Sequence, residues 1–367
     1  MSLGWKTVPF LEAMEDVSGG NEKTPQSELL PEGLFPVVDQ GKALVAGYIN
    51  DPRRVCKAAL PVVVFGDHTR CYKFIDFPFC MGADGTKVLR PRGTNDAKYL
   101  YHCLRQLVLT EGGYDRHFKY LKRQEVVLPP LSEQQRIAKV LDAAEALRTK
   151  RCAALAELDM LAEAIFLDTF GDPVTNPKPW PTAALRGIAT TTSGGTPDRS
   201  EAAYYNGGVP WVKSGELHQR IVTRTEETIS RRGVAESSAK LMPAGTVLVA
   251  MYGATVGAVA TLAIEAATNQ AVCCIRLGDR LDNAYFVTLL KLLTPTLLLR
   301  RVGGAQPNLS QDLIRSLELP LPPVTLQRAF ALRIDAIEKV KIAHRASLAQ
   351  MDALFASLQH RAFRGEL

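Results

Sequence analysis

Two long stretches of the chain carry apolar residues at helical spacing. Apolar positions recur every three or four residues over residues 132–168 and again from residue 325 to about residue 363. The predicted seam of the first stretch is Ile137, Val140, Ala144, Leu147, Ala154, Leu158, Leu161 and Ile165, and that of the second is Phe330, Ile337, Val340, Met351, Leu354 and Leu358. Such spacing is typical of coiled-coil helices. A helix of roughly 55 Å with so narrow an apolar stripe needs a partner, so the pattern predicts that the two helices pair antiparallel.

The remaining sequence has a different pattern, in which short apolar runs alternate with Gly, Pro and Asp turns. Runs at residues 60–65, 247–251 and 271–275 predict buried strands. Residues 96–109 and 283–293 predict shorter helices, and Pro295 is expected to end the second of these. The fold class predicted is therefore α/β (α+β), with two mixed domains separated by the antiparallel pair of long helices.

The chain also repeats itself. Displaced by 193 residues, 15 of 48 positions from Glu125 to Asp172 are identical without a gap, where unrelated segments give roughly three. A second match, displaced by 175 residues, aligns Trp5 with Trp180 and Ser18-Gly19-Gly20 with Ser193-Gly194-Gly195. The repeat predicts an internal pseudo-two-fold with segments 1–127 (first domain), 128–172 (first helix), 173–320 (second domain) and 321–367 (second helix).

Both predicted seams are interrupted at equivalent positions, Arg151 and His344. An antiparallel pairing would bring both residues into one central polar layer, and polar layers of this kind commonly fix the register of paired helices. The alternative is that two long polar side chains reach solvent independently.

Composition excludes only a few classes of function. A length of 367 residues predicts two or three domains, and the net charge of +6 is compatible with a polyanionic partner without naming one. No apolar run reaches the length of a membrane span. The seven cysteines lack metal-ligand spacing, which predicts no metal site, inert core thiols and a reducing, cytoplasmic setting.

Sequence signatures of enzymes are largely missing. There is no Gly-x4-Gly-Lys phosphate loop and no His-Glu-x-x-His motif. The segment Asn176-Pro177-Lys178-Pro179-Trp180 is similar to the Asn-Pro-Pro-aromatic motif of adenine methyltransferases, but no Phe-x-Gly-x-Gly cofactor loop precedes it. No catalytic residue is predicted.

Several motifs together resemble a known family. They are the proline-rich helix starts at Leu128-Pro129-Pro130 and Leu321-Pro322-Pro323, the Trp…Ser-Gly-Gly-Thr-Pro pattern (180, 193–197), and the segments 251–257, 268–272 and 303–310. In this combination the chain resembles the specificity subunit of type I restriction–modification systems. The first domain departs from the pattern, with Gly66-Asp67-His68-Thr69-Arg70 where the second has Met251-Tyr252-Gly253.

The resemblance implies a non-catalytic subunit with two target recognition domains, each reading one half of a bipartite, gapped double-stranded DNA site. It also implies spacer helices that dock two methyltransferase subunits, with restriction subunits as further partners. The subunit itself would bind no cofactor, because S-adenosylmethionine, ATP and magnesium would belong to the partner subunits. The alternatives are a stand-alone bipartite DNA-binding regulator and a DNA-modifying enzyme with an unrecognised site.

Polar and basic residues on predicted loops are the candidates for DNA contact, because amides pair with adenine, arginines with guanine and lysines with phosphate. In the first domain they are Arg53, Arg54, His68, Thr69, Arg70, Lys87, Arg90 and Arg92. In the second domain they are Lys213, Ser214, Arg220, Arg224, Tyr252, Thr255, Asn269, Gln270, Gln306 and Asn308.

Overall fold

The structure, a computed structural model, describes residues 4–109, 116–299 and 308–367, and these form two compact units. The first unit combines residues 1–152 with residues 346–367, and the second comprises residues 153–345. Each unit holds one β-rich domain together with half of each long helix. The four sequential segments predicted above stay a prediction, since each compact unit takes in part of both long helices.

The helices described are α1 (Phe10–Ala13), α2 (Ala97–Leu104), α3 (Phe118–Leu121), α4 (Leu131–Phe170), α5 (Arg231–Ala235), α6 (Asn283–Leu299), α7 (Gln311–Arg315) and α8 (Val324–Ala362). The predicted long helices are confirmed as α4 and α8. Two shorter predictions need correction. Helix α2 is about half as long as predicted, and α6 continues past Pro295 rather than ending there. A proline removes one backbone donor, and the apolar packing of α6 on its domain outweighs that loss.

The first unit contains β1 (Lys6–Pro9), β2 (Met14–Asp16), β3 (Lys23–Thr24), β4 (Phe35–Val38), β5 (Gly47–Ile49), β6 (Val62–Gly66), β7 (Tyr72–Ile75), β8 (Cys80–Gly82), β9 (Thr86–Pro91) and β10 (Glu125–Leu128). These strands form one sheet in the order β2-β9-β6-β7, a second in the order β3-β8-β4-β5, and a separate β1-β10 pair.

The second unit contains β11 (Thr182–Ala184), β12 (Ala189–Ser193), β13 (Tyr205–Val212), β14 (Ile221–Val222), β15 (Glu227–Ile229), β16 (Val247–Ala250), β17 (Val259–Leu262), β18 (Ala267–Thr268), β19 (Val272–Leu277) and β20 (Glu318–Pro320). Its sheets follow the orders β12-β19-β16-β17-β14 and β15-β13-β18, with a separate β11-β20 pair. The order β2-β9-β6-β7 thus recurs as β12-β19-β16-β17.

The internal repeat extends to individual hydrogen bonds. Thr7 pairs with Val127 in β1-β10, and the equivalent Thr182 pairs with Pro320 in β11-β20. The Tyr99 hydroxyl donates to the Val127 carbonyl over 2.7 Å. Its counterpart, the Tyr285 hydroxyl, donates to the Pro320 carbonyl over 2.8 Å. The two domains are therefore built on one plan.

Helix α4 packs antiparallel to α8 within each unit. In the first unit Arg136 reaches the carbonyl of Leu367, and Arg148, further along α4, binds Asp352, earlier in the chain. In the second unit Asp159 of α4 binds Lys341 of α8. The antiparallel pairing predicted from the apolar spacing is confirmed in each unit.

The predicted apolar seam is correct only in part. Ile137, Phe330 and Ile337 are buried. By contrast, the exposed fraction is 55% for Leu147 and 56% for Leu354. The other exposed members of the predicted seam are Leu161 and Val340. The helices pack on a β-rich domain as well as on each other, so the buried stripe is wider than a coiled-coil seam and takes in residues such as Leu141 and Phe166.

Arg151 and His344 belong to different units, so the proposed central layer stays a prediction. Both side chains are half-buried, and the His344 Nδ1 atom is buried without a hydrogen-bond partner among the described residues. Within the same described ranges, no helix is long and apolar enough to cross a membrane.

Candidate nucleic-acid interface

Four loops of the second unit meet at the ends of strands β12, β13, β16 and β18. Backbone bonds join them: the Met251 amide donates to the Ala271 carbonyl over 2.8 Å, and the Gly195 amide donates to the Thr268 carbonyl over 2.9 Å. The side chains that these loops bring together are Thr196, Ser214, Tyr252, Thr255, Asn269 and Gln270, which we call the polar loop cluster. Strand ends fix the loops, so these polar groups are held by a rigid scaffold.

Tyr252 and Gln270 form the exposed part of the polar loop cluster. The Tyr252 hydroxyl donates to the Gln270 carbonyl over 3.1 Å, and the Thr196 hydroxyl donates to the Gln270 side-chain oxygen. These contacts leave the Gln270 side-chain amide NH2 group as a donor without a partner among the described residues. The neighbouring Asn269 uses its backbone N–H on the Val212 carbonyl, while its side-chain oxygen is buried without a partner in the described part of the chain.

The glycines of the Ser-Gly-Gly-Thr-Pro motif are required by close backbone approach. A Cβ atom on Gly194 would lie 2.2 Å from the Thr268 carbonyl oxygen, and one on Gly195 would lie 2.3 Å from the Ala239 amide. The Trp211 indole also donates to the Gly195 carbonyl over 3.1 Å. The two glycines of the motif therefore shape the backbone beneath the polar loop cluster. Thr196 of the same motif contributes its side chain to the cluster.

Most candidate cations of the second unit are engaged by carboxylates. Lys213 binds Glu226 over 2.8 Å and Glu227 over 3.0 Å, and these hydrogen bonds raise the pKa of Lys213. Arg220 binds Asp159 of α4, so its structural partner is the long helix. Arg224 and Asn308 are exposed. Gln306 lies outside the described residues.

The first unit repeats one contact of the cluster despite its different loop sequence. His68, Thr69 and Arg70 form the turn between β6 and β7. The Thr69 hydroxyl donates to the carbonyl of Gln40, two positions beyond β4. In the second unit the Thr255 hydroxyl donates over 3.2 Å to the carbonyl of Ser214, two positions beyond β13. This threonine contact joins the same two loops in both units.

The other candidates of the first unit lie on different elements. On β9, Lys87 binds Asp16 over 3.3 Å, while Arg90 and Arg92 both bind Glu15. Arg53 and Arg54 lie in a 3-10 turn before β6, where they are bound by Asp51, Glu22 and Glu28. Each of these cations already has a carboxylate partner, and no ion pair or hydrogen bond among the described residues joins the β9 group to the Arg53–Arg54 turn.

Sequence reasoning missed three polar residues near these loops. Thr196 was visible within the Ser-Gly-Gly-Thr-Pro motif, but Gln40 and the exposed Lys240, which donates to the Thr192 hydroxyl over 2.7 Å, lie in segments without a recognisable pattern. Gln40 and Lys240 lie near the loops because the strand order brings their segments there.

The cysteines are free, and burial raises the pKa of Cys273 to about 12 and that of Cys274 to about 11. These two match the prediction of inert core thiols, whereas Cys152 is exposed. In residues 4–109, 116–299 and 308–367, no cluster of His, Cys, Asp and Glu is arranged to hold a metal ion.

Comparison with known families finds a match over the second β-rich domain and its loop motifs. Residues 177–350 match the family described as the type I restriction modification DNA specificity domain. That segment includes β11 to β20, the polar loop cluster and the first part of α8. The second β-rich domain is therefore similar to the DNA specificity domain of that family over nearly its whole length.

Similarity to curated proteins extends further along the chain. The specificity subunit of the type I restriction enzyme EcoR124I/EcoR124II from Escherichia coli is 24% identical over 327 residues, covering 83% of this chain and 79% of that protein. The MjaIX specificity subunit from Methanocaldococcus jannaschii is 28% identical over 160 residues, covering 42% of this chain but only 37% of that protein. The resemblance drawn from the sequence motifs is confirmed.

Solved structures share the fold over nearly the whole chain. The type I restriction–modification S subunit from M. genitalium superposes with a TM-score of 0.62 at 14% identity, covering 98% of this chain and 96% of that one. A chain from a structure described as the basis of complex assembly and conformational transition of the type I R-M system gives a TM-score of 0.53 at 17% identity, covering 100% and 99%.

Proposed function

We propose that this protein is the non-catalytic DNA sequence-recognition and scaffold subunit of a type I restriction–modification complex. Each β-rich domain reads one half of a bipartite, gapped double-stranded DNA site, and the long helices dock two methyltransferase subunits. The observation that carries the proposal is the specificity-domain match over residues 177–350. The β-rich domain of the first unit repeats the strand order of that matched domain.

The duplicated architecture supports bipartite recognition. The two domains share a strand order and a threonine contact between equivalent loops, so their different loop side chains lie on equivalent elements. The loops themselves differ, with His68 and Arg70 in one and Tyr252 in the other. Different side chains on one scaffold read different bases, which is what an asymmetric two-part site needs.

The candidate residues divide by their environment. Tyr252, Gln270, Arg224 and Asn308 are exposed and take the role of base or phosphate contacts in the second domain. Thr69 and Arg70 take this role in the first. The cations bound to carboxylates form ion pairs within the protein. DNA must displace those carboxylates before such a cation contacts phosphate.

Catalysis and cofactors belong to the partners in this proposal. S-adenosylmethionine, ATP and magnesium bind to the methyltransferase and restriction subunits, and this chain positions those subunits on the DNA. A stand-alone regulator would bind the same DNA without those partners, so reconstitution distinguishes the two.

The test is recognition by the reconstituted complex. Methylation sites are mapped for the wild type and for the double variant Tyr252→Phe, Gln270→Ala. We expect the variant to lose discrimination in one half-site, with a mismatch penalty there reduced by about 1–3 kcal/mol, while the other half-site is read as before. Gln350→Ala, which removes an exposed amide from α8, is the matched control and leaves both half-sites intact.

Two results would contradict the proposal. One is methylation by the partner subunits at the same sites without this chain. The other is equal loss at both half-sites in a variant whose circular dichroism and melting match the wild type.

A further inference from the structure

A void of about 270 Å³ lies in the second unit, where α6 meets α4 and α8. Its apolar lining includes Ala162 of α4, Ala284 and Val287 of α6, and Ile334 of α8. Thr288 and Asn283 also line it, but their side chains are satisfied within the protein: the Thr288 hydroxyl donates to the Ala284 carbonyl over 2.8 Å, and the Asn283 amide donates to the Gly245 carbonyl over 2.9 Å.

The equivalent place in the first unit is filled by aromatic rings. Tyr101 and His102 of α2 have ring centroids 5.2 Å apart, and His102 lies 6.5 Å from the ring of Phe355 on α8. His102 is fully buried and its Nε2 atom lies 2.7 Å from an Asp142 carboxylate oxygen. Three rings thus close the junction between domain and helices.

The internal repeat identifies what replaces those rings. The equivalent hydroxyl bonds of Tyr99 and Tyr285 align α2 with α6, and the helix repeat aligns α8 with α4. On this alignment Tyr101 becomes Val287, His102 becomes Thr288 and Phe355 becomes Ala162. Each ring is replaced by a small side chain that lines the void.

The cations beside the rings are retained. In the first unit Arg105 lies 4.9 Å from the Tyr101 ring centroid, and Arg148 lies 4.7 Å from that of Phe355. Their equivalents in the second unit are Lys291 and Lys341, which both line the void. An aromatic face beside a cation is favourable, more so when it is partly desolvated. The second unit has kept the cations and lost the rings.

One of these cations is left for a ligand. Lys341 binds Asp159 and Glu338, and Arg220 also binds Asp159. Lys291 has no ion pair or hydrogen bond to its ammonium group among the described residues, whereas its equivalent Arg105 binds Glu145 over 2.8 Å. Burial, together with the nearby charges of Arg220 and Lys341, lowers the pKa of Lys291 to about 8.

Two carboxylates near Lys291, those of Glu338 and Asp159, act against this lowering and raise its pKa. Asp159 and Glu338 are each bound to a cation just named, and Asp335, which also lines the void, binds Lys339 over 2.7 Å. Glu163 is exposed at the rim. Because no described carboxylate hydrogen-bonds to the Lys291 ammonium, an anionic group placed next to it gains a charge-assisted hydrogen bond.

We propose that this void is a binding site for a small planar aromatic anion of the size and charge of benzoate. The ring of the ligand occupies the place of the missing side chains, and its anionic group pairs with Lys291. The Ala162, Val287 and Ile334 face of the void offers such a ring an apolar surface, and an apolar cavity in another protein takes up benzene.

The test is calorimetric titration of the full chain, without DNA, with benzoate. Benzamide has the same ring without charge, benzamidine has the opposite charge, and cyclohexanecarboxylate keeps the charge without the aromatic face. We expect benzoate to bind, with each of the three analogues weaker by roughly tenfold or more. Lys291→Met should abolish the preference of benzoate over benzamide. Binding should also weaken as the pH rises above 8, where Lys291 loses its proton.

Filling variants locate the site. Ala162→Phe and Val287→Tyr each restore a ring that the first unit carries, so each should abolish benzoate binding. Ala164→Phe places the same ring on an exposed position of α4 and should leave binding unchanged. Two filling variants from different helices keep the test valid if one of them does not fold.

The proposal is overturned if benzoate fails to bind the folded wild type, if benzamidine binds as well as benzoate, or if both folded filling variants still bind. These outcomes are independent of the DNA-recognition proposal, because the titration contains no DNA or partner subunit.

Discussion

At the residue scale, a buried glutamine makes equivalent hydrogen bonds in each half of the chain. Gln134 accepts from the Asp96 amide over 2.9 Å and donates to the Pro129 carbonyl over 2.9 Å. Gln327 accepts from the Asp282 amide over 2.8 Å and donates to the Pro322 carbonyl over 2.9 Å. Each glutamine therefore joins the start of a long helix to the N-terminus of the domain helix beside it.

Because both glutamines are buried, their loss leaves backbone groups unsatisfied. We expect Gln134→Ala and Gln327→Ala each to lower the free energy of unfolding by about 1–3 kcal/mol. The adjacent exposed residue provides the control, since Gln135→Ala should change stability by less than about 0.5 kcal/mol. Urea unfolding measures all three. Equal effects at positions 134 and 135 would show that the buried bonds contribute nothing.

His102 gives the first unit a pH dependence. Burial lowers the pKa of His102, and the hydrogen bond to Asp142 only partly offsets this, so the imidazole is neutral in the folded protein. The unfolded chain takes up the proton at a higher pH than the folded chain, near 6.5. The free energy of unfolding should therefore fall as the pH drops below about 6.5.

The variant His102→Phe should lose this acid-side decline, whereas His360→Gln, at an exposed histidine of α8, should retain it. Thermal melts at a series of pH values would show the difference. If wild type and His102→Phe declined in parallel through this range, other groups would be responsible.

At the element scale, the pairing of α4 with α8 uses the same salt bridge twice, with the partners exchanged. Arg148 of α4 binds Asp352 of α8 over 2.6 Å, and Lys341 of α8 binds Asp159 of α4 over 2.7 Å. Arg148 and Lys341 are equivalent in the repeat, as are Asp159 and Asp352. These two bridges fix the antiparallel register within each unit.

The two bridges differ in environment, which predicts different energies. The side chain of Lys341 is 1% exposed, whereas Arg148 is 30% and Asp352 is 49% exposed. Removing one of the two carboxylate partners of a buried ammonium is costly even though Glu338 still binds Lys341, so Asp159→Asn should destabilise the protein by about 1–3 kcal/mol. Asp352→Asn should cost at most about 1 kcal/mol. Urea unfolding of the two variants tests this, and similar losses would mean that Lys341 is solvated after all.

At the scale of the whole molecule, the proposed function makes helix length a determinant of DNA spacing. Adding four residues after Lys150 in α4 and four at the equivalent point after Ala343 in α8 lengthens both helices by about 6 Å. The interhelical salt bridge of each unit is preserved, because both helices gain the same length.

Methylation mapping of this paired insertion should show unchanged half-sites separated by a longer unspecified gap. An insertion in α4 alone is the control, and it should impair the complex because the helices no longer match. A changed half-site sequence with an unchanged gap would refute the link between helix length and spacing.

Much of the architecture was predictable because it is encoded locally or by repetition. The starts of α4 and α8 follow the proline-rich segments at 128–130 and 321–323, and the common plan of the two domains follows from aligned residues such as Pro129 with Pro322. The strands β16 and β19 appeared as short apolar runs because both of their faces are buried.

Other features depend on contacts between residues distant in sequence. Leu147 and Leu161 have the right spacing for a seam yet are exposed, because the faces that α4 buries are set by the domain packed beside it. Arg220 resembled a DNA contact in the sequence but binds Asp159 of α4. The fold of the chain between residues 159 and 220 brings this arginine and this aspartate together.

The amino-acid sequence by itself determined the repeat, the fold class and the two long helices, since helical periodicity and duplicated motifs act over short range or by direct identity. Only the tertiary structure decided which cations already have carboxylate partners, that Thr69 and Thr255 make the same contact, and that one junction is filled by rings while its copy holds a void. The physical reason is that burial and pairing depend on which elements meet, and strand order brings together residues that no local pattern connects.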